Sequence, residues 1–151
     1  MDKIKHFSKI ELEYENLLRL TFVNKNKKPI VANIDNIEAI VFHNYGYMSV
    51  YGETSGEINV TFEDWQELRS VAEQSSKFIF CGDNAIFVLE NVVDCNKDSR
   101  RGTVVVDCKR TFYEIELYGD FEKADDLISA LQKRWNQSTE CALAEEDTLN
   151  R

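Results

Sequence analysis

The feature that most constrains this 151-residue chain is an internal duplication. Val31-Ala-Asn-Ile-Asp-Asn-Ile37 aligns with Ile86-Phe-Val-Leu-Glu-Asn-Val92, which places Ile34 on Leu89, Asp35 on Glu90 and Asn36 on Asn91. Gly46 to Val50 then aligns with Gly102 to Val106, Ile58 and Val60 with Ile115 and Leu117, and Leu68 with Leu127. The offset grows along the chain, as longer loops in a diverged second copy would make it do.

Each copy carries one ordered set of local signals. In the first, Ile30 to Asn33 reads as a short strand that Asp35-Asn36 interrupts, because both side chains bond nearby backbone in turns. Strand pattern resumes at Ile37 to His43 and returns from Tyr47 to Tyr51 after an Asn44-Tyr-Gly46 turn. Ile58, Val60 and Phe62 mark the inward face of a further strand. Thr61-Phe-Glu-Asp64 has the spacing that opens a helix, and Trp65, Leu68 and Ala72 recur at helical period. The second copy repeats this: Glu90-Asn91 breaks the strand, Val104 and Val106 face inward, and so do Tyr113, Ile115 and Leu117. Asp120 stands at a helix N-cap, and Phe121, Ala124, Ile128, Leu131 and Trp135 draw a helical stripe. Before the repeat, Ile10, Leu12 and Tyr14 alternate with glutamates. Leu18, Leu20 and Phe22 alternate likewise, so residues 8–23 form a hairpin or one long bent strand.

The expected fold is therefore α+β: two tandem, divergent copies of a short-strand antiparallel β-meander followed by one helix, related by a pseudo-two-fold axis. The units are residues 1–76 and 77–135, with 136–151 a flexible polar tail. A helix over one face of each sheet leaves the other face for solvent or a partner.

Composition narrows the function. The chain is 43% hydrophobic and 30% charged, a globular balance, with a formal net charge of −9. Such a charge opposes non-specific adhesion to nucleic acid or anionic lipid. No apolar run spans a bilayer, and MDKIKHFSKIELEYEN has no signal-type apolar core, so a cytoplasmic location is expected. Cys81, Cys95, Cys108 and Cys141 lack metal-ligand spacing, and the two histidines are His6 and His43, so neither metal nor cofactor is expected. Phosphate-cradle, nucleophile-elbow and metalloprotease motifs are absent, and an enzyme is not expected.

Surface patterning supplies the candidate sites. Tyr47 and Tyr51 alternate with the inward Met48 and Val50, and their counterparts are Thr103 and Asp107, so the core does not demand rings there. With Tyr45 they suit a protein interface; packing against the other copy's sheet is the alternative. Glu57, Glu114 and Glu116 share that outward phase. The expectation is a non-catalytic protein-binding module, an inhibitor of immunity-protein or anti-defence type, acting through an acidic, tyrosine-bearing sheet face. Its partner would be a protein with a basic surface, or a second copy in a homodimer; membrane and nucleic acid are not expected partners. The alternative is a small anionic ligand or nucleotide, held by Arg100 and Arg101 or at the seam between copies. A second basic pair, Lys109 and Arg110, is expected at the opposite end of the same strand from the hairpin of Lys97, Arg100 and Arg101.

Overall fold

A computed structural model of the chain describes residues 5–13 and 16–149, with side chains as far as residue 137. Tyr14 and the side chain of Cys141 lie outside the described residues. Among the described residues, eleven strands form three antiparallel sheets. The strands are β1 (Phe7–Glu13), β2 (Leu17–Phe22), β3 (Ile30–Asn33), β4 (Ile37–His43), β5 (Tyr47–Gly52), β6 (Gly56–Asn59), β7 (Phe78–Cys81), β8 (Ala85–Val88), β9 (Val92–Asp98), β10 (Thr103–Cys108) and β11 (Phe112–Glu116). Helix α1 (Phe62–Glu73) ends the first copy and α2 (Asp125–Leu149) ends the second. β1 and β2 pair antiparallel, as two strands of a hairpin would, and the fold is α+β as the pattern predicts.

The two copies share element order down to their interruptions. A 3-10 turn at Ile34–Asn36 separates β3 from β4, and another at Leu89–Asn91 separates β8 from β9. The Asn36 carbonyl accepts the Glu53 N–H at 2.9 Å, and the Asn91 carbonyl accepts the equivalent Lys109 N–H at 3.0 Å. A one-residue bulge follows each turn. Ile37 faces Gly52 and Ala39 faces Tyr51, which leaves Glu38 as the extra residue. Val92 faces Cys108 and Asp94 faces Asp107, which leaves Val93.

Sheet pairing departs from that parallel. In the first copy β3 joins β2 and β1 in a sheet of its own, whereas in the second β8 and β7 join the first copy's meander. The result is a central five-stranded sheet in the order β6-β5-β4-β8-β7, flanked by β1-β2-β3 and β11-β10-β9. The strand pairing that joins the copies is the β4–β8 ladder, with Ile40 opposite Ile86. The central sheet therefore buries both faces, and the expected uncovered face is largely filled. One face packs Ile40, Phe42, Met48 and Ile86 against Trp65 and Leu68 of α1 and Leu18 and Leu20 of β2. The other packs Ala39, Ala85 and Phe87 against Val104 and Val106 of β10 and Leu127 of α2.

Helix α1 starts where its signal lies. The Thr61 hydroxyl accepts the Asp64 N–H and the Asp64 carboxylate accepts the Thr61 N–H, a full capping box. That buried carboxylate also accepts the His6 N–H at 3.0 Å, so the cap ties down the start of β1. The second helix begins differently. Asp120 makes no side-chain cap bond, and a 3-10 turn at Phe121–Ala124 leads into α2. The expected stripe buries Ala124 of that turn, α2 buries Leu127, and Trp135 stands 72% exposed beyond the end of the core. Helix α2 continues unbroken to Leu149 through the segment expected to be a flexible tail. Ala142, Leu143, Ala144, Glu145 and Glu146 are all strong helix formers, and neither glycine nor proline interrupts them.

Candidate interaction surface

Burial and pairing sort the candidate side chains into three places. The first is the seam where the two 3-10 turns meet. The Asn91 side-chain amide donates to the Ile37 carbonyl at 2.7 Å and to the Asp35 carbonyl at 3.0 Å, stitching one copy to the other. Beside it the bulge turns Glu38 inward to 2% exposure. Its carboxylate accepts the Arg110 N–H and the Tyr113 hydroxyl, each at 2.8 Å. Burial, then the bond to Glu38, hold the Tyr113 phenol above its ordinary pKa. A polar cavity of about 300 Å³ opens here between Asp35, Asn36, Glu38, Asn91, Lys109 and Arg110. The seam thus sets two carboxylates beside its two cations.

The second place is the loop end, where the turns 44–46, 82–84, 99–102 and 117–120 gather. The Asn84 carbonyl accepts the Phe42 N–H, the Lys123 carbonyl accepts the Gly82 N–H, and the Gly102 carbonyl accepts the Leu117 N–H. Tyr45 is 90% exposed there and Tyr118 85%, the latter in the left-handed region at φ 53°. Glu116 holds that turn by accepting the Tyr118 N–H at 2.7 Å. The Asp83 carboxylate meets the Lys123 ammonium at 2.6 Å, and that bond holds the carboxyl below its ordinary pKa and raises the ammonium's. Arg100 is exposed at the tip of the β9–β10 hairpin, while Arg101 reaches Glu114 at 3.5 Å and Asp98 at 3.9 Å. Lys109 and Arg110 lie at the other end of β10, as the spacing predicts.

The third place is the outward face of the β9–β10–β11 sheet. Its rows are Asp94–Asp107–Phe112, Asn96–Val105–Glu114 and Asp98–Thr103–Glu116. Two acidic residues, Asp94 and Asp107, are paired across the ladder, an arrangement that costs stability, and the Asp94 carboxylate accepts the Cys95 N–H at 2.8 Å. Phe112 stands 63% exposed in that same row. The sequence gives Phe112 away by its phase, two and four residues before Glu114 and Glu116.

The expected tyrosine set is divided among these surroundings. Tyr47 and Tyr51 do share the phase opposite Met48. Tyr47 stacks on the His43 ring at 4.4 Å, and His43 Nε2 lies 3.1 Å from the Ser49 hydroxyl. Tyr51 packs on Tyr113 of the second copy at 5.3 Å, within the core beneath β11. Glu57 is exposed on β6 opposite Ser49. The structure places Glu114 and Glu116 on β11, with Glu116 reaching the loop end, and packs Tyr51 beneath that strand instead of beside them.

Burial raises the Cys81 thiol to about 12, with the neighbouring Cys95 adding to it. Burial, then Asp94, raises Cys95 to about 11; burial, then Glu38, raises Cys108 to about 12. These are protonated, weakly nucleophilic thiols at neutral pH. Among the described residues no group of three or more His, Cys, Asp or Glu is placed to hold a metal. No helix among them is long and apolar enough to cross a membrane.

No protein-family model matches the chain, and no curated protein does. A solved Bacillus cereus structure described as a LytTr DNA-binding domain is similar to it, with 11% identity over 68% of this chain and 88% of that one, at a TM-score of 0.46. That level of likeness assigns no activity here. It does correct one expectation, that nucleic acid is not a partner. That exclusion rested on net charge alone, a sum over all residues. Net charge bears on adhesion at long range, whereas contact is decided by the local field of a few loops.

Proposed function

We propose that this chain is a non-catalytic protein-binding module of inhibitor type, working in the cytoplasm, whose binding face is the outer side of the β9–β10–β11 sheet. The observation that carries this reading is the opposition of Asp94 and Asp107 beside the exposed ring of Phe112. A sheet that tolerates like charges across one ladder keeps a local field it would otherwise shed. Phe112 supplies a large apolar anchor at its margin, and Glu114 and Glu116 extend the field along β11. Covering such a face with a cationic protein surface relieves the repulsion, so affinity and intrinsic stability trade against each other.

The test compares wild type with Asp107→Asn and Phe112→Ala as bait in cell lysate, with thermal unfolding alongside. Asp107→Asn is expected to raise the unfolding midpoint and to weaken retention of a partner that wild type captures. Phe112→Ala is expected to release that partner. Retention of the same proteins by both variants, or no specific capture by wild type, refutes the reading.

A second reading places a nucleic acid, or a smaller phosphate-bearing ligand, at the loop end. It is favoured by Arg100, Tyr45 and Tyr118 all standing exposed on the turns of that end, since bases stack on rings and phosphates meet cations. Duplex and single-stranded DNA shifted at low salt by wild type, but not by Arg100→Ala or Tyr118→Ala, would favour it over the first.

A further inference from the structure

A groove of about 350 Å³ runs between β3 and the β5–β6 hairpin, on the opposite side of the central sheet from the β9–β10–β11 layer. Its floor is apolar, made by Ile37, Val50 and Ile58, and Val31 of β3 forms one wall. Glu53 and Glu57 line it, and no cationic side chain does among the described residues. Two strand edges border it. β3 is the last strand of its sheet and β6 the last of the central sheet, so each offers one row of backbone donors and acceptors to a newcomer. The groove is also open at a specific point. Gly56 pairs with Val50, and a Cβ built on it meets nothing within 4 Å.

We infer that this groove is a docking site for an extended peptide segment of a partner protein, added as a strand to the free edge of β6, with apolar side chains flanking a lysine or arginine. Alternation dictates the pattern. Gly56 and Ile58 share the phase of Val50 and Met48, so residues of the added strand beside them send their side chains towards the apolar floor. The intervening residue lies across from Glu57, where a cation is the favourable cross-strand partner. Glu53, in the loop before β6, draws a cation at the neighbouring end. Charge also argues against a second copy as the occupant. Symmetric pairing of two β6 edges would crowd the Glu53 and Glu57 carboxylates of both chains along one ladder. This site shares none of the residues tested for the acidic outer face, and the two stand or fall separately.

The test uses the full chain and a fluorescein-labelled pentapeptide of alternating valine and lysine, read by fluorescence anisotropy at low salt. Binding is expected to saturate. It should weaken about tenfold or more when glutamate replaces lysine, and likewise when alternate peptide amides are N-methylated to remove ladder donors. Gly56→Phe, which fills open space from a backbone that accepts any side chain, should weaken binding by a similar factor and leave the unfolding midpoint unchanged. Glu57→Lys should do the same, and Phe112→Ala should have no effect on this peptide. Absence of saturable binding overturns the proposal, as does equal affinity for Gly56→Phe. So does sedimentation showing a wild-type dimer that Gly56→Phe dissociates, which would give the groove to a second copy.

Discussion

Glu38 and Val93 occupy equivalent bulges in the two copies, yet the charged residue is buried and the apolar one is exposed. The bulge frees one side chain from strand alternation, and the neighbouring layer decides where it goes. Above Glu38 lie the Arg110 N–H and the Tyr113 hydroxyl, two donors that make the burial tolerable. Glu38→Ala orphans both donors and is expected to cost about 2–4 kcal/mol, measurable by urea unfolding. Tyr113→Phe removes one of the two and should cost less, about 1–2 kcal/mol. The thiols of Cys81, Cys95 and Cys108 carry a signed pH dependence. Their folded pKa values lie above the ordinary thiol value near 8.5, so the folded state holds protons that the unfolded state releases. Their contribution to stability is complete below that value and declines as pH rises towards 11–12. Iodoacetamide at pH 8 should accordingly spare Cys81 and Cys108 in the native protein and label them in denaturant. Rapid native labelling would contradict their burial.

At the scale of elements, Gly52 shows why the copies are not interchangeable. Its counterpart in the second copy is Cys108, which tolerates a side chain. A Cβ on Gly52 would collide with the Asn36 carbonyl, a backbone atom that cannot move aside. Gly52→Ala is expected to destabilise by more than about 2 kcal/mol and to loosen the first 3-10 turn, seen as faster amide exchange at Glu53. Helix α1 depends on its cap. Thr61→Ala removes the hydroxyl acceptor for the Asp64 N–H and should cost about 1 kcal/mol in chemical denaturation. The Asp83–Lys123 pair ties the β7–β8 turn to the start of the second helical segment. Because the carboxyl is held low, its contribution is present above the ordinary carboxylate range and is lost as pH falls through its depressed value. The pair is exposed, so salt should weaken that contribution.

For the whole molecule the central sheet is the decisive fact. The β4–β8 ladder crosses the boundary between residues 76 and 77, and the Asn91 amide binds the first copy's backbone. A fragment of residues 1–76 would expose the β4 edge and one apolar face of its meander. It is expected to give a collapsed NMR spectrum without dispersed amides, while the full chain unfolds in one cooperative transition by calorimetry. A dispersed, cooperative fragment would show that the copies are independent folding units.

The order of elements, the places of the two 3-10 breaks and the capping box were legible in the residues, because each is written in neighbours a few positions apart. Phe62 misleads as an inward strand residue, for it opens α1 and stands 60% exposed. The destination of each sheet face was not. Ala85 to Val88 is an unbroken apolar run, the mark of a strand buried on both sides, and it was the available hint that β8 lies inside a larger sheet. Which strand it would pair with depends on contacts between residues dozens of positions apart. Alternation is the same for any partner of suitable length, so only the folded chain chose β4. That choice put Tyr51 under β11, left Phe112 and its row of carboxylates outside, and turned one bulge inward and its twin outward.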